Sequence, residues 1–288
     1  MSSQFKTTLL LALLSGLILV LGQAAGGNNG LILAFVLALV MNLGSYWFSD
    51  KIVLRMYRAG ELSPAEAPML HAMVEDLARN AGIPKPRVCL VPGDSPNAFA
   101  TGRNPQNAVV AVTEGIVKLL SHDELRGVVA HEIGHIANRD ILVQSIAGVL
   151  ATMVMFIANM MKWAAIFGGS RSDDEGGGGG GGNAIAGLFL ALLAPIAASL
   201  IQFAISRSRE YLADATGAKL CGNPLSLASA LGKLGAYSKQ LPMQQGSPAT
   251  AHMFIVNPFA GGIGKFFSTH PPLEERIQRL REMVRNQG

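Results

Sequence analysis

Charge is scarce in this chain. Only 15 % of its 288 residues are Asp, Glu, Lys or Arg, against about 25 % in an ordinary soluble domain. Half of the residues are hydrophobic, so the composition is that of a membrane protein with room left for one globular domain. Cysteine is nearly missing. Cys89 and Cys221 lie far apart and outside the apolar runs, which excludes a disulfide framework and a CxxC metal site and points to reduced thiols in a cytosolic compartment. Basic residues form no patch interleaved with aromatics, so the net charge of +4 does not imply a nucleic-acid partner. No internal repeat is visible.

What the chain has instead is four apolar runs. Leu9 to Leu21 and Leu31 to Phe48 are joined by the uncharged connection Gly22 to Gly30 and read as a transmembrane hairpin. The third run extends from Ile141 to about Phe167 and the fourth from Ala184 to Ile205. These two read as a second hairpin, either spanning the bilayer or buried against the protein, since they contain Gln144, Asn159, Lys162, Pro195 and Gln202. Lys51, Arg55 and Arg58 follow the second run and Arg207 and Arg209 follow the fourth. The positive-inside rule then puts both termini in the cytoplasm. The loop Arg171 to Asn183, with its tract of consecutive glycines, would face outward as a flexible linker.

The chain therefore divides into a first hairpin (1–48), a soluble part (49–140), a second hairpin (141–205) and a second soluble part (206–288). Pro64 to Ala81 has the spacing of an amphipathic helix. Pro86 to Val91 and Asn107 to Val112 read as strands, with Asn97 to Gly102 as a further one. Ser121 and Glu124 form a capping-box pattern, and Leu225 to Tyr237 and Leu273 to Val284 read as helices. The expected fold class is α+β, dominated by helices, on a multi-pass membrane protein.

The helix that Ser121 caps contains His131-Glu132-Ile133-Gly134-His135. Residues i and i+4 share a helix face, so both imidazoles can bind one Zn²⁺ while Glu132 is free to take a proton from water. A catalytic zinc needs a third protein ligand. His71, His122, His252, His270, a cysteine or a carboxylate could supply it. Glu210 and Asp214, also at i and i+4, form one such pair, with Glu210 as ligand and Asp214 as the acceptor that orients a ligand imidazole. His135 precedes the third run by six residues and Glu210 follows the fourth by five. Both would stand about 7 to 10 Å beyond the membrane boundary at 1.5 Å per residue.

His131-Glu132-xx-His135, Glu210-xxx-Asp214 and Ser268-Thr269-His270-Pro271-Pro272 together resemble the HtpX-type membrane metalloproteases, gluzincins related to the type I CAAX prenyl proteases. The resemblance covers nearly the whole chain. It implies a gluzincin-type protease domain on the cytoplasmic side of a bacterial inner membrane. It also implies one zinc held by His131, His135 and Glu210, Glu132 as base, and unfolded or damaged membrane proteins as substrates. By analogy His270, fixed by two prolines, is the candidate donor to the oxyanion. Asn97, Ala98, Phe99 and Ala100 are candidates for an edge strand that pairs with substrate. Processing of prenylated peptides is the alternative within the same chemistry. A membrane adaptor that binds clients without cleaving them is the alternative outside it, and Glu132 argues against that adaptor.

Overall fold

A computed structural model describes residues 3–168, 206–238, 240–243, 247–259 and 270–285. The fourth apolar run, the glycine tract and the residues Ser268 and Thr269 lie outside the described residues. Among the described ones, helices dominate a single four-stranded sheet.

The first long helix, α1 (Ser3–Met56), is broken at Gly26 and Gly27, where Gly27 takes φ 54°, a conformation that only glycine adopts readily. The chain turns back on itself there, and Asn42 Nδ2 donates to Ser15 Oγ at 2.7 Å across the two arms. The second arm, Gly26–Met56, is long and apolar enough to cross a membrane. Phe5–Val20 and Ile141–Met155 are further apolar helical stretches, the second being the first part of a 28-residue helix.

The strands are β1 (Gly60–Glu61), β2 (Arg87–Val91), β3 (Ala98–Gly102) and β4 (Ala108–Thr113), in the order β1-β2-β4-β3. β2 and β4 run parallel; the other neighbours are antiparallel. Between them lie the helix α2 (Pro68–Asn80) and, after β4, the short α3 (Glu114–Leu119). The central strands are apolar without interruption because both faces of the sheet are covered. Side chains alternate across the sheet. Val88, Ala98, Ala100, Val110 and Val112 pack toward α2 and the other helices of the main core. Cys89, Val91, Phe99, Val109 and Ala111 pack toward Val53, Leu54 and Tyr57 at the end of α1. The rings of Tyr57, Phe99 and Phe254 meet there with centroids 5.0 to 5.6 Å apart. The sheet is thus wedged between the end of α1 and the helix that Ser121 caps.

That helix, α4 (His122–Ala137), starts with a complete capping box. Ser121 accepts from the Glu124 backbone, and Glu124 accepts from the Ser121 N–H. From Gly127 to Ile136 every residue of α4 is buried, so it is the central helix of the core. Just beyond its end stands Arg139, whose φ of 58° is left-handed without being glycine. This tight exit leads directly into α5 (Ile141–Gly168). The first half of α5 packs on protein: Val143, Ile146, Leu150 and Val154 lie against Leu10 and Leu14 of α1. The remaining α-helices among the described residues are α6 (Arg207–Cys221), α7 (Pro224–Tyr237) and α8 (Leu273–Arg285). β1 and α3 had no recognisable pattern in the sequence, one being two residues long and the other six.

Candidate metal centre

His131 and His135 project from one face of α4, with ring centroids 4.7 Å apart. In each, Nδ1 faces a buried carboxylate. His131 Nδ1 donates to Asp214 Oδ1 at 2.9 Å, and His135 Nδ1 faces Asp140 Oδ2 at 3.5 Å. Those contacts fix the tautomer that leaves both Nε2 lone pairs available. Burial lowers the His131 pKa to about 4 against the opposing pull of Asp214, so its ring is neutral at physiological pH and able to ligate.

Glu210 comes from α6. Glu210, Asp214 and Gly217 fall on one helical face, and that face lies against α4 because two glycines let the backbones approach. A Cβ on Gly217 would stand 2.8 Å from His131 Cα and N; one on Gly134 would stand 3.1 Å from the Ala213 carbonyl oxygen. The result brings one donor atom each from His131, His135 and Glu210 within 4.8 Å of one another. His135 Nε2 and Glu210 Oε1 are 3.4 Å apart, the separation expected of two ligands on a tetrahedral zinc with bonds of about 2.1 Å. Glu210 is fully buried and its Oε1 has no hydrogen-bond partner among the described residues. A buried ionised oxygen without a donor is strongly unfavourable, and a divalent cation would satisfy it. The donor set of two imidazoles and one carboxylate suits zinc.

Two charges that the sequence did not mark complete the support. Arg276, on α8 and 0 % exposed, grips Asp214 with a two-pronged fork at 2.8 and 2.7 Å and donates to the Ile255 carbonyl at 3.0 Å. Burial disfavours the Asp214 carboxylate, yet the Arg276 charge and hydrogen bonds hold its pKa at about 2. On the other side Arg209 pairs with Asp140, the residue that the left-handed turn at Arg139 places beneath His135. Asp140 carried one faint signal, an isolated acid at the mouth of an apolar run. Arg276 carried none, being one of several arginines on an amphipathic helix.

Glu132 points to the neighbouring side of α4 and is 2 % exposed. Burial pushes its pKa up to about 7; the Glu210 charge adds to the rise, while His135 and the Ala100 N–H oppose it. A carboxyl group near neutrality can both accept and release a proton. His270 lies beside the site, with Nδ1 2.9 Å from Glu210 Oε2. Its Nε2 is buried without a partner among the described residues. With Nδ1–H donating to the carboxylate, Nε2 can donate to an oxyanion only from the cationic ring.

The residues expected to bind substrate are placed more specifically. β3 is an edge of the sheet, but Asn97, Ala98 and Phe99 are engaged by the chain itself. Asn97 Nδ2 donates to the Val256 carbonyl, the Ala98 carbonyl accepts from Ile255, and Phe99 bridges to Phe254. Ala100 is the point where the strand faces Glu132. The other histidines stand apart from the metal ligands. His71 Nε2 contacts the Leu62 carbonyl at 2.9 Å, His122 is half exposed beside Asp123, and His252 is buried between the carbonyls of Ala249 and Gln144.

Known proteins resemble this chain over most of its length. The family described as peptidase family M48 matches residues 64–284. A protease HtpX homolog of Syntrophobacter fumaroxidans is 60 % identical over 285 residues, covering 98 % of this chain and all of that protein. One from Persephonella marina is 58 % identical over 287 residues, covering 98 % of each. One from Pyrococcus furiosus is 56 % identical over 284 residues, covering 98 % of this chain and 96 % of its own. Among solved structures, S. mikatae Ste24p has a similar fold, with a TM-score of 0.51 at 20 % identity over 96 % of this chain. This chain spans 65 % of the length of that one.

Proposed function

The chain belongs to peptidase family M48 and is a metalloendopeptidase, and from this we propose that it is a zinc enzyme which cleaves unfolded or damaged membrane proteins on the cytoplasmic side of a bacterial inner membrane. The observation that carries the zinc assignment is the buried Glu210 Oε1, which has no hydrogen-bond partner among the described residues and lies 3.4 Å from His135 Nε2. His131, His135 and Glu210 are the ligands, and Asp214 and Asp140 hold the two imidazoles in the ligating tautomer. Zinc held there would supply a Lewis acid that acidifies water and polarises a peptide carbonyl.

The protein groups do the rest. Glu132 accepts the proton of the attacking water and passes it to the leaving amine, a role that suits its raised pKa. The β3 edge at Ala100 runs beside Glu132, so an extended substrate paired there would present its backbone to the base whatever its side chains. Pairing of this kind tolerates sequence variety, as clearance of damaged proteins requires. The apolar arm Gly26–Met56 supports attachment to a bilayer, and Lys51, Arg55 and Arg58 at its end favour a cytoplasmic site.

Glu132→Gln tests the reading. The purified variant should bind as much zinc as the parent and digest an unfolded protein such as casein at least 10²-fold more slowly, the size of a lost general base. Equal digestion would remove Glu132 from the mechanism. Glu210→Ala should instead lose zinc, and full zinc content in that variant would overturn the ligand set.

A further inference from the structure

Between Lys6 and Asp50 the sequence carries no charged residue. Lys51 is the first cation after that gap, one helical turn beyond Trp47. At this level α1 meets the sheet and an open groove of about 450 Å³ lies between them. Its basic and aromatic lining comes from Trp47, Phe48 and Lys51 of α1, from Lys85 and Arg87 at the start of β2, and from Arg103 between β3 and β4. Arg103 stacks on Trp47, its guanidinium carbon 4.7 Å from the ring centre, and Lys51 Nζ stands 5.5 Å from the Phe48 ring.

The cations differ in what already neutralises them. Arg87 is matched by Asp50 at 3.1 Å and Glu61 at 3.3 Å, and Lys85 by Glu75 at 3.0 Å. Neither Lys51 nor Arg103 has a carboxylate within ion-pair distance among the described residues; Arg103 bonds only to the neutral Asn107 amide oxygen, at 3.3 Å. Trp47 and Phe48 are each 50 % exposed, at the end of the helix that is long enough to cross a membrane. Aromatic side chains gather at the depth of lipid headgroups. Two unneutralised cations held on aromatic rings at that depth match the chemistry of a lipid phosphate, with Arg supplying charge-assisted donors.

We propose that this groove binds the phosphodiester headgroup of an anionic membrane lipid, with Lys51 and Arg103 as the two charges that hold it. The site rests on the reading that Gly26–Met56 lies in the bilayer. Because Arg103 directly follows β3 and Lys51 lies on α1, one headgroup would pin both the sheet and α1 to the membrane surface. The strand that runs beside Glu132 would then be kept at a fixed height above the lipid.

The test uses the full chain in detergent with Trp163→Phe, so that Trp47 is the remaining tryptophan and its fluorescence reports on the groove. Short-chain phosphatidylglycerol should bind saturably and at least tenfold more tightly than phosphatidylcholine. Lys51→Gln and Arg103→Gln should each weaken phosphatidylglycerol binding by roughly 5-fold, and the double variant by about 25-fold, at about 1 kcal/mol per cation near a membrane surface. The charge-conserving pair Lys51→Arg with Arg103→Lys should retain the preference. Equal binding of the two lipids, or a double variant that behaves like the parent, overturns the proposal. So does inorganic phosphate that displaces phosphatidylglycerol at equal concentration, which would make the groove a free-anion site. Flotation with pure phosphatidylcholine vesicles separates the two layers of the argument. A chain that does not float refutes the bilayer reading itself, whereas one that floats without a headgroup preference refutes the groove alone.

Discussion

Alanine in place of Gly217 sets helix propensity against packing, with opposite signs. Propensity alone favours alanine by about 1 kcal/mol in a helix interior. Packing opposes it, because the new Cβ would meet His131 Cα and N at 2.8 Å and the Ala130 carbonyl carbon at 3.0 Å. Carbon atoms settle about 3.5 to 4.0 Å apart, and both neighbours are backbone of the buried helix α4, which cannot swing aside as a side chain would. Overpacking of this kind costs about 1–3 kcal/mol, and rigid backbone puts it near the upper end. The net effect is a destabilisation of about 2 kcal/mol, or a fall in Tm of about 4–8 °C for a chain of this size. Gly232, on the exposed side of α7 with nothing within 4 Å of its Cβ position, is the control. There alanine should stabilise by about 0.5–1 kcal/mol. Thermal unfolding in detergent compares the two, and zinc titration reports whether Glu210, two turns away on the same face of α6, has moved from the histidines. A Gly217→Ala protein at least as stable as the parent, with unchanged zinc affinity, would refute the claim that close backbone contact between α4 and α6 builds the site.

Arg276→Ala should cost about 3–5 kcal/mol in thermal or urea unfolding, since it leaves Asp214 buried with no counter-charge; Arg276→Lys should recover part of that loss, and an alanine variant of parental stability would mean that Asp214 finds another partner. Burial opposes the charge of Glu124, but hydrogen bonds from Lys233, the Ser121 backbone and Ser229 hold its pKa at about 2. The folded value lies below the unfolded one, so its contribution is present above about pH 4.5 and disappears as pH falls toward 2. Glu124→Gln should therefore be about 1–2 kcal/mol less stable at pH 7, with the gap closing near pH 2 to 3 in parallel melts. His270→Ala should lower peptide hydrolysis far more than zinc content, and equal activity per bound zinc in mutant and parent would remove His270 from the reaction.

The legible parts of the chain were those set by short-range pattern. The capping box at Ser121 and Glu124 fixed where α4 begins, because both of its hydrogen bonds span only three residues. The short apolar runs of β2 and β4 and the amphipathic spacing of α8 marked those elements to within one or two residues. The i, i+4 spacing of His131 and His135 was enough to put two imidazoles on one helical face. Arg276 escaped because its role depends on α8 crossing behind α6, a relation between segments far apart in the chain. The edge of β3 was half read. Its existence followed from pattern, but its occupation by Ile255 and Val256 is a contact across more than 150 residues.

Spacing and composition by themselves determined that the chain carries a helix with two histidines at metal-ligand spacing, long apolar segments and a carboxylate pair on a later helix, since each is written within a few residues. Only the tertiary structure decided that Glu210 comes to lie 3.4 Å from His135 and that each imidazole is held by a buried acid with its own arginine. The physical reason is steric and electrostatic. Glycines at 134 and 217 allow two helices to touch, and burial then obliges every charge between them to find a partner.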